Sequence, residues 1–178
     1  MIDTRDSVDA FDTPLGWMAI VGRREVLKMV TFGYASEHEA LRGVERRWTG
    51  QIRLDCWNEP LAVRLRAYAD GSVDDFGDVR LDLEHLTAFG RRVVRECRRT
   101  GWGQTTTYGE LAERAGSPRA ARAVGNVMRT NRFALVVPCH RVLAAGGGLG
   151  GYSSIDGVGM KQRLLELEQN GVLASASA

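Results

Sequence analysis

The sequence predicts an α+β protein with a small N-terminal α/β domain at residues 1–78 and a helical C-terminal domain at residues 79–178. Two apolar runs at residues 17–21 and 26–32 contain many β-branched and aromatic residues and indicate neighbouring strands. Further along the chain, apolar residues recur instead at the spacing of a helix. The acidic, turn-rich segment GSVDDFGD at residues 71–78 separates these two patterns, so we place the domain boundary there.

The N-terminal domain is predicted to contain a hairpin followed by two helices. The residues between the two strands, Gly-Arg-Arg-Glu at 22–25, favour a tight connection. Ser36 is a good N-cap for the first helix. Pro60 can occupy the first turn of the second helix, which Gly71 would end.

The C-terminal domain is predicted to contain a helix-turn-helix. An amphipathic helix from Leu83 to Cys97 comes first, with Cys97 in the core. A short helix at residues 108–115 then ends at a glycine, and Ser117, as N-cap, would start a second helix that reaches Arg129. Two short helices joined by a glycine-containing turn form this motif. A closing helix is expected at residues 160–169, with a frayed tail after it.

Cysteine and histidine usage argues against a disulfide framework and against a metal site. Cys56, Cys97 and Cys139 are odd in number and far apart, and the three histidines are equally scattered. This pattern fits a reducing compartment, so we expect a cytoplasmic protein. The acidic, polar N-terminus is unlike a signal peptide, and no apolar run approaches a membrane span, so no membrane association is expected.

Charge is distributed unevenly along the chain. Residues 1–85 carry a net charge of −5, whereas residues 86–150 carry 11 Arg against 3 Glu, a net of +8. A segment this basic is expected of a protein that binds a phosphate backbone, although a solvated, arginine-rich helix face would give the same count. The second helix of the motif adds the small residues Ala120, Ala121 and Gly125, which suit close approach to DNA or tight helix packing equally well.

Residues 136–142, VVPCHRV, place a cysteine beside a histidine, behind an apolar run and a proline. A thiolate is a strong nucleophile, but a free cysteine with a pKa of about 8.5 is largely protonated at neutral pH. His140 and Arg141 could supply the base and the positive field that raise the thiolate fraction. Cys139 is therefore a candidate nucleophile, and the alternative interpretation is a cysteine buried as part of the core.

The stretch PCHRV resembles the active-site motif of the O6-alkylguanine-DNA alkyltransferases, and RAVGNVMRTN at residues 122–131 resembles the segment that precedes it in that family. Residues 13–33 resemble the start of the family's N-terminal domain, and residues 136–168 resemble its active-site segment and closing helix. The resemblance implies a ribonuclease H-like, three-layer N-terminal domain and a winged helix-turn-helix in the C-terminal domain.

The resemblance implies a catalytic role for each of five residues. Cys139 would accept an alkyl group, and His140 would take the thiol proton, through a water. Glu168 would orient and charge-stabilise His140 as the third member of a triad. Tyr108 would donate a hydrogen bond to the departing guanine, and Asn131 would link the recognition helix to the cysteine loop through backbone hydrogen bonds.

The resemblance also implies residues that contact DNA and residues that wall a pocket. Arg122 would enter the base stack and fill the gap left by an extruded nucleotide. The remaining DNA contacts would come from Ser117, Ala121, Arg129 and Tyr108. The walls of the substrate pocket would be Gly150, Tyr152 and Ser153.

These roles imply DNA repair by one irreversible transfer of an alkyl group from O6 of guanine, with O4 of thymine as a second lesion, to Cys139. The partner would be double-stranded DNA that carries O6-alkylguanine, and the protein would act as a monomer without a cofactor. Three alternatives are a non-catalytic lesion-binding protein, a helix-turn-helix transcription regulator and a cysteine hydrolase. Cys139 argues against the first, the regulator does not need the cysteine–histidine pair, and the hydrolase leaves the basic helix unexplained.

Two departures from the family pattern stand out. Asn131-Arg132-Phe133-Ala134 stands where the family usually has Asn-Pro-x-Pro, so a looser hinge is expected, with Arg132 near the DNA backbone. The loop after Ser153 is two residues longer than usual before its lysine. Because that loop would border the pocket, the preferred size of the alkyl group stays open.

Overall fold

The computed structural model describes residues 5–176, and these residues cluster into two compact units. The N-terminal unit consists of the described residues up to Ser72, together with residues 78–82 and 132–134. All other described residues form the C-terminal unit. The segment at residues 71–78 is divided between the two units, and the chain returns to the N-terminal unit after the helix-turn-helix.

The N-terminal unit is built on a five-stranded sheet. Its strands are β1 (Asp6–Phe11), β2 (Trp17–Arg23), β3 (Val26–Tyr34), β4 (Ile52–Leu54) and β5 (Arg80–Leu81), in the order β4-β1-β2-β3-β5. The first three strands are antiparallel, β4 is parallel to β1, and β5 is parallel to β3. The predicted hairpin is confirmed as β2 and β3, whereas β1 was missed.

The acidic residues of β1 explain why this strand was not predicted from the sequence. Asp6 and Asp9 make the segment resemble a solvated terminus. In the structure Asp6 is buried, and its carboxylate lies 2.8 Å from the ammonium of Lys28 on β3. A buried carboxylate requires such a partner, and only the folded chain supplies it.

Helices α1 (Glu37–Glu45) and α2 (Glu59–Ala69) cover opposite faces of the sheet. Val8 of β1 packs in a cluster with Val44 of α1. On the alternate face of β1, the ring of Phe11 lies 4.6 Å from the guanidinium carbon of Arg66 on α2. Ser36 caps α1 as predicted, because its hydroxyl accepts the Glu39 amide.

Residues 132–134, where the family pattern has two prolines, join this sheet. The Val30 amide donates to the carbonyl of Arg132 at 2.7 Å, and Phe133 forms a parallel bridge with Val30. The guanidinium carbon of Arg132 lies 5.9 Å from the centre of the Trp48 ring. This chain lacks the two prolines of the family pattern, and backbone pairing and a cation–π contact fix residues 132–134 instead.

The C-terminal unit is largely helical. Its elements are α3 (Ala88–Arg98), α4 (Tyr108–Arg114), α5 (Ala121–Arg129), α6 (Gly157–Ala176), and a parallel ladder of β6 (Thr106–Thr107) with β7 (Val142–Leu143). The predicted start of the first helix at Leu83 is wrong, because Thr87 caps α3. The expected frayed tail is also wrong as far as Ala176, since alanine-rich sequence favours helix; residues 177 and 178 lie outside the described range.

The helix-turn-helix forms as predicted, but α5 begins later than expected. Gly116 has a φ of 74°, and the amides of Gly116 and Ser117 close the end of α4. Ser117 does not act as an N-cap: residues 117–120 form a separate turn, in which the Ala120 amide donates to the Ser117 carbonyl at 2.9 Å. The physical reason is Pro118, which disfavours helical geometry at the residue before it and favours the second position of a turn.

Candidate functional site

Cys139 opens a short 3-10 turn, Cys139–Arg141, that leads into β7. The apolar residues before it, Val136 and Val137, are fully buried and anchor this turn. The side-chain amide of Asn131, just beyond α5, donates to the Val137 carbonyl at 3.0 Å and to the Cys139 sulfur at 3.2 Å. Asn131 therefore ties the end of α5 both to the backbone of the cysteine loop and directly to the thiol.

The surroundings of Cys139 keep its thiol protonated at rest. Burial raises the pKa of Cys139, and the hydrogen bond from Asn131 and the charge of Lys161 oppose this only in part. Lys161 is itself buried, and its ammonium donates to the carbonyls of Val142 and Leu149. No pattern in the sequence predicts that Lys161 is buried. A base is therefore needed to generate the thiolate at neutral pH.

That base can be His140, which is fully buried beside Glu168. Nε2 of His140 lies 2.8 Å from Oε1 of Glu168. Burial lowers the pKa of His140, against the raising effect of Glu168, so the imidazole is neutral at pH 7. A neutral ring facing a carboxylate through Nε2 carries its proton there, so a proton from the thiol would enter at Nδ1.

Glu168 is the centre of the buried polar network. Nη2 of Arg141 lies 2.8 Å from its Oε1, and the Gly103 amide donates to Oε2 at 3.1 Å. Burial by itself raises the pKa of Glu168, but hydrogen bonds from His140 and Arg141 outweigh it and bring that pKa down to about 2. Glu168 is thus a carboxylate over the whole physiological range. Arg141 and Gly103 were not predicted as its partners.

The low pKa of Glu168 makes stability depend on pH in acid. A folded-state pKa of about 2 against an ordinary 4.5 means that the ionised carboxylate stabilises the fold above pH 4.5, and that this stabilisation disappears as pH falls toward 2. We expect Glu168→Gln to cost about 3 kcal/mol at neutral pH and to lose less further stability in acid than the wild type. Urea unfolding at a series of pH values measures both, with Glu166→Gln as the control for removing one charge from α6. Parallel pH dependence in Glu168→Gln and wild type contradicts this prediction.

A cavity of about 330 Å³ opens over the sulfur of Cys139. Its lining includes Tyr152 and Ser153, two of the residues proposed as pocket walls, and Tyr108, the proposed donor to the base, and it includes Gly151 but not Gly150. Gly150 has a φ of 65°, and a Cβ at this position would contact the Tyr108 side chain. Burial raises the pKa of Tyr108, which keeps its hydroxyl available as a donor.

One face of α5 forms the remaining wall of this cavity, which the sequence analysis missed. The residues on this face are Gly125, Met128 and Arg129. Their spacing of three and four residues places them on one side of the helix and could have revealed the face. Arg129, predicted as a DNA contact, thus lies at the pocket, and its guanidinium donates to the Asn126 side chain at 3.3 Å.

Most of the exposed arginines of the C-terminal unit lie on α3 and on the helix-turn-helix. Several arginines of α3 are bound to backbone carbonyls, as in Arg92 to Ala115 at 2.9 Å. Arg119 and Arg122 are exposed, and within residues 5–176 neither side chain has a hydrogen bond or ion pair. Part of the charge excess is therefore structural, and the arginines near the start of α5 remain available to a phosphate backbone.

One group of possible metal-ligand residues lies in the N-terminal unit. The side chains of Asp9, Cys56 and Glu59 have ligand atoms within 4.8 Å of one another. Cys56 and Glu59 are three residues apart, but Asp9 lies 47 residues before Cys56, so no spacing rule could detect the group of three. Arg66 lies 3.5 Å from Glu59 and supplies a cation there. Over residues 5–176, no helix has the length and apolar character needed to cross a membrane.

The fold and the site together define a helix-turn-helix protein with a candidate cysteine nucleophile in a pocket beside a buried histidine–glutamate pair. Residues 88–170 match the family model for the DNA-binding domain of 6-O-methylguanine DNA methyltransferase. The methylated-DNA–protein-cysteine methyltransferase of Mycolicibacterium paratuberculosis is 38% identical over 161 residues, which cover 89% of each chain. The enzyme of that name from Metallosphaera sedula is 43% identical over 156 residues, 88% of each chain. The chain belongs to the methylated-DNA–protein-cysteine methyltransferase family.

Solved structures agree with this assignment. A crystal structure of Mycobacterium tuberculosis OGT in complex with DNA matches 93% of this chain and 94% of its own, with a TM-score of 0.78 and 33% identity. The O6-methylguanine-DNA methyltransferase of Pyrococcus kodakaraensis strain KOD1 matches 92% of this chain and 98% of its own, with a TM-score of 0.70 and 25% identity. The mixed α+β architecture is therefore that of this family.

Proposed function

We propose that the protein repairs double-stranded DNA by transferring an alkyl group from O6 of guanine, or from O4 of thymine, to the sulfur of Cys139. The observation that carries this proposal is the pocket lined by Cys139, together with the buried pair of Glu168 and His140, the next residue in the chain. Membership of the methyltransferase family supplies the class of reaction.

In the proposed reaction, the bond between the alkyl carbon and O6 breaks as a carbon–sulfur bond forms. The thiol proton passes through a water to Nδ1 of His140, and Glu168 stabilises the resulting imidazolium. Tyr108 donates a hydrogen bond to the departing base, and the base takes up one proton as the imidazolium gives one up to solvent, so guanine leaves as a neutral purine. The thioether product has no easy leaving group, so each chain reacts once, and no cofactor is required.

Chemistry on a base needs that base out of the stack, which costs a few kcal/mol. Arg122, exposed on α5, would fill the gap left by the extruded nucleotide. Ser117, Ala121 and Arg129 would contribute the other contacts of the helix-turn-helix, with α5 in the minor groove. We propose that the protein acts as a monomer in the cytoplasm.

We also propose a finer description of the two domains, with a boundary near residue 78. A ribonuclease H-like, three-layer N-terminal domain is supported by the strand order β3-β2-β1-β4, the parallel β4, and helices on both faces of the sheet. A winged helix-turn-helix is supported by the pair α4 and α5 beside the small ladder of β6 and β7.

Intact-mass measurement tests the proposed function directly. We expect the protein to gain the mass of one methyl group after mixing with duplex DNA that carries one O6-methylguanine, and to gain nothing from the same duplex with guanine. No mass gain from the lesion duplex, in a preparation that binds DNA, contradicts the proposal.

Arg119 provides a test of DNA binding that is independent of chemistry. Because this exposed cation lies near the start of α5, we expect Arg119→Ala to weaken binding to lesion and normal duplexes equally and to reduce the salt slope by about 1. Fluorescence anisotropy at several salt concentrations measures the slope. Arg66→Ala removes a cation from the N-terminal unit and serves as the matched control. An unchanged slope in Arg119→Ala shows that this side chain makes no phosphate contact.

A further inference from the structure

The turn Gly101–Gln104, between α3 and β6, has no part in the reaction described above. The Gln104 amide donates to the Gly101 carbonyl at 3.1 Å, and the Gln104 side chain accepts the Gly101 amide at 3.2 Å. Gly103 has a φ of 68°, in the left-handed region where residues with a Cβ are strained. The backbone of this turn is therefore fixed, and its geometry depends on residue 103.

This turn holds Glu168 at two points. The indole N–H of Trp102 donates to the backbone carbonyl of Glu168 at 2.8 Å. The amide of Gly103 donates to Oε2 of the Glu168 carboxylate at 3.1 Å, whereas the other oxygen, Oε1, faces His140. The turn therefore binds both the backbone of α6 and Oε2, the Glu168 oxygen that does not face His140.

Arg141 binds both oxygens of the same carboxylate. Its Nε lies 3.1 Å from Oε1 and 3.0 Å from Oε2 of Glu168, and its Nη1 donates to the carbonyl of Thr100 at 2.6 Å. A guanidinium favours a bidentate pair with both carboxylate oxygens turned toward it. Arg141 makes that pair here, with Nη2 at 2.8 Å from Oε1 and Nε at 3.0 Å from Oε2, and the Gly103 amide adds a further donor to Oε2 from the turn.

We propose that Trp102 and Gly103 are positioning residues, which fix the Glu168 carboxylate so that Oε1 stays on His140 while the imidazole takes the thiol proton. This inference rests on the proposed transfer to Cys139. Neither residue lines the pocket at Cys139, and both act through Glu168.

The charges around His140 explain why a small rotation matters. Three charged groups act on His140: Glu168 and Lys161 on α6, and Arg141, the next residue in the chain. Burial and the two cations lower the pKa of His140. The other titratable groups here, Cys139, Cys97 and Tyr108, are neutral at rest. Glu168 is thus the one anion among these groups that stabilises an imidazolium. Because charges are weakly screened in a buried site, a small movement of its carboxylate changes that stabilisation strongly.

Three variants test the inference: Gly103→Ala, Gly103→Asn and Trp102→Phe. The readouts are the rate of Cys139 alkylation by iodoacetamide and the rate of transfer from O6-methylguanine duplex, each from about pH 6 to 9.5. We expect Gly103→Ala to react about tenfold more slowly at pH 7, with its rising limb about one unit higher, and to approach the wild type at high pH. Trp102→Phe should change about threefold in the same direction. Gly103→Asn should retain most of the rate, since asparagine tolerates the left-handed region.

The outcomes separate this inference from the proposed function. A rate loss that is equal at every pH, a wild-type profile in Trp102→Phe, or Gly103→Asn as slow as Gly103→Ala overturns the positioning role. Thermal unfolding shows whether each variant folds, and Trp102→Phe alone decides if Gly103→Ala does not. A wild-type chain that gains no alkyl group removes the proposed function instead, whereas the iodoacetamide profile still tests the coupling of Glu168 to His140.

Discussion

Replacing Cys139 with alanine is expected to abolish alkyl transfer completely while leaving duplex binding within about twofold of the wild type. The thiol is the acceptor in the proposed reaction, so nothing in the pocket replaces it. Binding should survive, because the exposed arginines of the helix-turn-helix lie outside the cysteine turn. Intact mass after reaction with O6-methylguanine duplex measures transfer, and anisotropy measures binding.

The other two cysteines provide the controls for this prediction. Cys56 is exposed, whereas Cys97 is fully buried and burial raises the pKa of its thiol strongly. Cys56→Ala should react at the wild-type rate, and peptide mapping of the reacted wild type should place the single adduct on Cys139. An adduct on Cys56 or Cys97, or more than one transfer per chain, overturns the mechanism.

The features that sequence could predict are those set by near neighbours in the chain. The β2–β3 hairpin follows from two apolar runs and a polar connection, and the Ser36 cap follows from one hydroxyl at the right offset. Cys139 and His140 are adjacent, so the sequence is sufficient to predict a candidate nucleophile beside a candidate base. Glu168, 28 residues away from His140, was placed only by resemblance to a family.

The features that sequence could not predict depend on contacts across the chain. Arg141, Gly103 and Trp102 meet Glu168 only because α6 packs against two distant loops. In the sequence Lys161 resembles an ordinary surface cation, but in the structure its ammonium donates to two backbone carbonyls. Periodicity and capping rules describe one helix or strand at a time, so they cannot predict contacts between side chains of distant elements.

Arg122→Ala is expected to slow alkyl transfer from duplex DNA by about 100-fold, and transfer from free O6-benzylguanine by less than about twofold. The proposed task of Arg122 is to occupy the gap in the base stack, which offsets a few kcal/mol of unstacking, and 1.4 kcal/mol corresponds to a factor of ten. A free base needs no extrusion. Single-turnover rates at saturating DNA measure the effect without a contribution from weaker binding.

Arg119→Ala is the matched control for Arg122→Ala, because both arginines are exposed near the start of α5 and neither has a partner in the described part of the chain. Loss of a phosphate contact at Arg119 should lower affinity but leave the saturated rate unchanged. A single-stranded lesion substrate, which has no stack to refill, should restore most of the rate to Arg122→Ala. Equal losses on duplex, single strand and free base would instead mean that Arg122 supports the fold of the pocket, because a gap-filling side chain has no means of slowing a reaction that opens no gap.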